Sequence, residues 1–176
     1  MKKSLLVAAI ITTSALSAAQ TFAADGNINF IGTITDTACT ITNSPTNPLN
    51  VTLGSVSKTA FNGAGSTAAP TKFSIELTNC PVTVTGATVK FDGTSANSDN
   101  TALKLTQVAG VATGVGIQLS DATGAVVPLY TASSVYPLSE GTNELNFIAR
   151  YLALTDTASI TTGAANSTSQ FTIAYN

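Results

Sequence analysis

Two cysteines, Cys39 and Cys80, are the residues in this 176-residue chain whose type and number point most directly to defined chemistry. They lie 41 residues apart, far from the close C-x-x-C spacing that a reactive thiol pair normally needs. The remaining inventory offers little for catalysis. Histidine is absent, which removes the commonest general base and metal ligand. Carboxylates occur singly, on turns and strand edges. Asp92, Asn97 and Asp99 share a loop, but their spacing is no EF-hand, and a solvated loop is the better reading. Gly114-x-Gly116 lacks the following glycine and helix of a phosphate-binding loop. Arg150, beside Tyr151, reads as a paired strand charge. Asn50-Val51-Thr52 and Asn166-Ser167-Thr168 match a glycosylation sequon, which the bacterial-type leader makes a coincidence. The chain therefore reads as a non-enzyme with no cofactor, no metal and no small-molecule substrate.

The compartment decides how the cysteines are used. Lys2 and Lys3 form a basic n-region, Leu5 to Leu16 a short apolar core, and Thr21-Phe22-Ala23 a small-residue cleavage site. Residues 1–23 are thus a signal peptide, too short in its apolar run to span a bilayer comfortably. In an exported chain a single even pair of cysteines is most simply a disulfide. Closing a loop of that size stabilises the fold by about 4 kcal/mol in the chain-entropy model. The mature chain of 153 residues keeps five Lys/Arg against nine Asp/Glu, a side-chain charge of −4. With so few cations and no basic cluster, nucleic acid is excluded as a partner.

The elements that carry these residues read as strands. Gly26, Ile28, Phe30, Gly32 and Ile34 fall on one side of an extended chain; Asn27, Asn29, Thr33 and Thr35 fall on the other, with Ile31 the one apolar exception. After Cys39-Thr40-Ile41-Thr42, strands are expected at Leu49–Leu53, Lys72–Thr78, Val82–Phe91 with a break at Gly86, Ala102–Val108, Val115–Ser120, Ala125–Leu129, Glu144–Leu152 and Gln170–Asn176. Asn62 to Pro70 reads as a Gly/Ala/Ser-rich loop and Asp121-Ala122-Thr123-Gly124 as a hairpin turn. About eight short strands at these intervals predict an all-β, immunoglobulin-like sandwich. The last strand alternates Phe171, Ile173 and Tyr175 to the end, with no closing partner after it. Left as an edge it would be an apolar template for association. An alternating strand at the opposite end of the chain complements it.

In these features the chain resembles the pilins of the bacterial chaperone–usher pathway, most of all a major subunit of type 1-like fimbriae. The likeness covers essentially the whole mature chain. It is carried by Gly26-x-Ile28-x-Phe30-x-Gly32-x-Ile34 before Cys39, Phe73-x-Ile75-x-Leu77-x-x-Cys80-Pro81, Val115-Gly116-Ile117-Gln118-Leu119, and Phe147-x-Ala149-Arg150-Tyr151. At the C-terminal end, Gly163 precedes Ala165-Asn166 and Phe171-x-Ile173-x-Tyr175, with Gly163 fourteenth from the end and Tyr175 penultimate. The segment 157–162 lacks the proline often found there, a departure that affects a loop.

The resemblance implies a sandwich lacking its last strand and a division into a signal peptide (1–23), an N-terminal donor-strand extension (24–36) and a pilin domain (37–176). Ile28, Phe30 and Ile34 become the donor side chains and Gly32 the donor position where a side chain would not fit. Gly163, Phe171, Ile173 and Tyr175 become acceptor-groove and chaperone contacts, and Asn176 supplies a carboxylate for the chaperone's basic residues. The implied partners are a periplasmic chaperone, an outer-membrane usher and neighbouring subunits in a head-to-tail polymer. The implied location is a cell-surface fimbria reached through the periplasm. Two further readings stay open: a minor or adaptor pilin, and a secreted immunoglobulin-like binding protein that completes itself.

Overall fold

The computed structural model describes residues 26–32, 34 and 38–176. The signal-peptide reading of residues 1–23 lies outside the described residues. The chain divides into an N-terminal unit ending at Ile34 and a second unit, Thr35–Asn176. In the first unit the described residues form no regular ladder. Ile28, Phe30, Ile31 and Ile34 are exposed to 79, 92, 98 and 100%.

The second unit holds seven described strands: β1 (Thr40–Ile41), β2 (Thr67–Cys80), β3 (Gly86–Asp92), β4 (Val115–Asp121), β5 (Tyr136–Pro137), β6 (Gly141–Ala153) and β7 (Gln170–Tyr175). They build two antiparallel sheets, ordered β1-β2-β6-β4 and β5-β3-β7. This is the all-β, immunoglobulin-like sandwich that the sequence predicts. Alternation fixes which face each strand buries. Along β6, Leu145, Phe147, Ala149 and Tyr151 are buried, as their period of two requires. Phe147 is the centre of the sandwich. Its ring stacks on Phe73 of β2 at 5.7 Å, meets Phe91 of β3 edge-on at 5.0 Å and lies 5.3 Å from Tyr136 of β5. It thereby joins both sheets. Among the described residues no helix is long and apolar enough to cross a membrane.

Several expected strands take another form. Leu49–Leu53 forms no strand and joins no ladder among the described residues. Val51 and Leu53 still pack, half-buried, on the core. Alternation makes a strand-like face, but a strand also needs a neighbour. Ala102–Val108 and Ala125–Leu129 contribute only isolated bridges, Leu103 to Ser95 and Ile117, and Val126 to Ser120. β2 starts at Thr67, inside the stretch read as a loop, because small residues there pair with Tyr151 and Leu152 at the end of β6. β5 is a two-residue strand that alternation could not reveal. Of the strand expected over Val82–Phe91, only the part from Gly86 forms: residues 82–85 carry a turn and no strand, and β3 begins at Gly86.

The turn at Asp121 forms as expected. The Asp121 carboxylate accepts from the Thr123 hydroxyl at 2.6 Å, the Thr123 amide at 2.9 Å and the Ala125 amide at 3.0 Å, while Gly124 takes the left-handed φ of 91°. Arg150 differs from its reading as a paired charge. Its guanidinium donates to the Ser120 hydroxyl and the Gly124 carbonyl rather than to a carboxylate. Lys90 and Asp92 form the ion pair found among the described residues, at 3.4 Å.

Candidate functional site

The site is the outer edge of β7. On one side β7 pairs with β3, in the register Ala87↔Tyr175, Val89↔Ile173 and Phe91↔Phe171. On the other side it has no partner strand among the described residues. The Asn176 amide donates to the Gly86 carbonyl at 2.8 Å, and the Asn176 carbonyl accepts from the Thr85 amide at 3.1 Å. A strand turns successive peptide groups to opposite edges. The N–H and C=O groups of Ala174 and Thr172 therefore face β3, and those of Phe171, Ile173 and Tyr175 face outward from the sheet.

Burial changes sharply across one ladder. Ala87, Val89 and Phe91 on β3 are 0, 0 and 3% exposed. Phe171, Ile173 and Tyr175, directly opposite them on β7, remain only half-buried although they pack on the same core. The apolar layer thus continues to β7 and is left uncovered there. Tyr175 carries a further mark of this position. Its hydroxyl is buried with no hydrogen-bond partner among the described residues, and burial raises its pKa above the ordinary 10.0. The edge offers backbone donors and acceptors with apolar side chains beneath them, which is what strand addition uses.

Gly163 lies ahead of β7, against the loop at residues 110–112. A Cβ there would run into the Gly110 carbonyl and would lie 2.7 Å from the Ala112 nitrogen. The neighbouring Ala164 amide donates to the Gly110 carbonyl at 3.0 Å, and the Ala112 amide donates to the Ala164 carbonyl at 2.9 Å. Close backbone approach is the local reason for glycine at this position. Cys39 and Cys80 are joined as a disulfide with Cα atoms 4.2 Å apart, which fastens the segment entering β1 to the end of β2. Ile28, Phe30 and Ile34 form an exposed apolar set in the N-terminal unit, and nothing approaches within 4 Å of the position a Cβ would take on Gly32.

Sequence reasoning missed part of this edge. The alternation of half-buried odd residues and exposed even ones does not begin at Gln170; it runs from Ala164 to Asn176. Ala165, Ser167 and Ser169 belong to the inward set but are small or polar, so a hydrophobic period passes over them. The signal that would have found them is distance to Gly163, not hydropathy.

The fimbrial protein family model matches residues 28–176. The chain is 35% identical over 168 residues to long polar fimbria protein A of Salmonella typhimurium, covering 95% of this chain and 91% of that relative. It is 36% identical over 179 residues to the type-1 fimbrial protein A chain of Escherichia coli K12, covering 95 and 96%. Its structure is similar to the crystal structure of the type I fimbria protein and antigen of Burkholderia pseudomallei, at 43% identity and a TM-score of 0.59, covering 85% of this chain and 97% of that one. The P pilus rod subunit PapA, 23% identical, shares the fold with a TM-score of 0.63 over 80% of this chain and all of that one. By sequence over nearly its full length, this chain belongs to the fimbrial protein family of pilus structural subunits.

Proposed function

We propose that this chain polymerises by donor-strand exchange, its extension at residues 24–36 completing the pilin domain (37–176) of the next copy. Phe171, Ile173 and Tyr175 line the acceptor groove, while Ile28, Phe30 and Ile34 are the donor side chains and Gly32 the donor position without one. In the periplasm a chaperone occupies the same edge first, contacting the strand from Gly163 to Asn176. At the outer-membrane usher the extension of the next subunit takes its place. The product is a homopolymeric fimbria on the cell surface.

One observation carries this reading: exposure rises from β3 to β7 across a single ladder of an otherwise closed core. Covering Ile28, Phe30 and Ile34 in that layer contributes roughly 1.5–3 kcal/mol each. Each backbone bond along the edge adds about 0.5–1.5 kcal/mol net. Their sum exceeds the ordering cost by enough to make exchange practically irreversible. Donor and acceptor surfaces differ, so the contact is head-to-tail and does not close, which gives an open filament.

The test is to delete residues 24–35 and express the chain with its chaperone and usher. The truncated chain should still bind chaperone and still accept a donor, yet fail to extend a polymer. Filaments grown from it alone would refute the donor assignment.

A further inference from the structure

The stretch from Asn62 to Pro70 begins with the chain's one Asn-Gly pair, Asn62-Gly63. An asparagine followed by glycine can react with its own backbone. The glycine amide nitrogen attacks the side-chain carbonyl carbon, and the missing Cβ leaves that approach unhindered. In a folded chain the outcome depends on what already holds the two groups, since a bonded group must first give up its bonds.

Around this pair the turn is fastened, and the reacting groups are not. The Asn62 amide donates to the Ser66 hydroxyl at 3.0 Å. The Gly63 carbonyl accepts from the Ser66 amide at 3.2 Å and from the Ser66 hydroxyl at 2.6 Å. Gly65 and Ser66 are bound in turn to Ala153 at the end of β6, through the Gly65 amide at 2.8 Å and the Ser66 carbonyl at 2.9 Å. Among the described residues, neither the Gly63 amide nor the Asn62 carboxamide has a hydrogen-bond partner. Asn62 is exposed, and nothing lies within 4 Å of where a Cβ on Gly63 would stand. Asn97, followed by Ser98, is the contrast. Its carboxamide donates to the Thr101 hydroxyl at 2.7 Å and accepts from the Thr101 amide at 3.0 Å.

We propose that Asn62 is a modification site, deamidated spontaneously in the folded chain by the Gly63 nitrogen. That nitrogen bonds to the Asn62 Cγ and loses its proton, while the Cγ–Nδ2 bond breaks and ammonia leaves, closing a succinimide ring. Water then opens the ring. Addition at Cγ restores the normal backbone with aspartate in place of the asparagine. Addition at the main-chain carbonyl carbon gives isoaspartate, whose backbone runs through the former side chain. Either product carries one more negative charge than the chain it came from. Isoaspartate also inserts a carbon into a turn that Ser66 and Ala153 hold. The inference stands apart from the reading of β7 as an acceptor.

The test incubates the exported, folded chain in mildly alkaline buffer and follows it by peptide mapping with mass spectrometry and by isoelectric focusing. The peptide holding Asn62 should gain the mass of an amide-to-acid exchange, as two isomers, while a more acidic band grows at the same rate. Asn97 should react slower by about tenfold or more, the cost of breaking its two hydrogen bonds. Asn62→Gln keeps an amide but closes its larger ring far more slowly, and should abolish the acidic band. The chain reduced and unfolded in denaturant shows the pair's reactivity without the turn. If Asn62 reacts there but keeps its amide in the folded chain, the turn protects the pair and the proposal is overturned. An acidic band that persists in Asn62→Gln overturns it too, as does loss of amide at Asn97 as fast as at Asn62.

Discussion

Gly163 and Ala112 stand backbone to backbone: a Cβ on Gly163 would lie 2.7 Å from the Ala112 nitrogen. Neither side can yield easily, because the adjacent Ala164 is bonded to both Gly110 and Ala112. Gly163→Ala should therefore destabilise the domain by about 1–3 kcal/mol, the usual range for forced overpacking. Denaturant unfolding of the purified variant beside wild type checks this; an unchanged midpoint would show that the loop at 110–112 moves aside freely.

Phe147→Ala should cost about 3–5 kcal/mol, since it removes the ring that joins the two sheets through Phe73, Phe91 and Tyr136. Phe147→Leu keeps most of the volume and should cost clearly less. Equal losses from the two substitutions would mean that the core collapses around the site rather than holding a cavity.

Replacing Cys39 by Ser removes the cross-link that holds the entry to β1 against the end of β2. β1 has only two ladder pairs, Thr40↔Thr78 and Ile41↔Leu77, to hold it otherwise. The loss should be about 4 kcal/mol in the chain-entropy model. Thiol counting on exported wild-type protein should find none free.

Stability should depend on pH at both extremes and little between them. The Asp121 carboxyl is held below its ordinary 3.8, chiefly by the Thr123 hydroxyl, with burial acting the other way and the turn amides adding to the lowering. A lowered folded pKa contributes stability that is present above the unfolded value and lost as pH falls through the folded one. Tyr136 is pushed up to about 12, first by burial and then by the Asp121 charge. Its contribution is complete below pH 10 and disappears as pH rises through about 12. Unfolding midpoints for Asp121→Asn and Tyr136→Phe should flatten the acid and alkaline arms respectively; a profile unchanged in both variants would disprove the assignment.

The inward faces of β4 and β6 were readable because each carries a run of large apolar residues at a period of two. The disulfide was readable because only one pairing exists. What stayed hidden has physical causes. Leu49–Leu53 has a strand's pattern without a strand's neighbour, and pattern alone cannot report a neighbour. The head of the open edge is built from Ala165, Ser167 and Ser169, which carry no hydrophobic signal. Tyr151 was correctly placed on the inward face of β6, but its hydroxyl's partner, the Ala165 carbonyl, lies fourteen residues away in the segment ahead of β7. Such a relation belongs to tertiary packing.

The division of β7 into peptide groups that bond to β3 and groups without a partner among the described residues has a kinetic consequence. In an unoccupied subunit, deuterium should enter at Phe171, Ile173 and Tyr175 quickly and at Thr172 and Ala174 slowly, a comb of fast and slow sites along one strand. Occupation of the edge would slow every second tooth and even the comb out. The strand therefore carries its own isotopic record of whether a given subunit is vacant or filled.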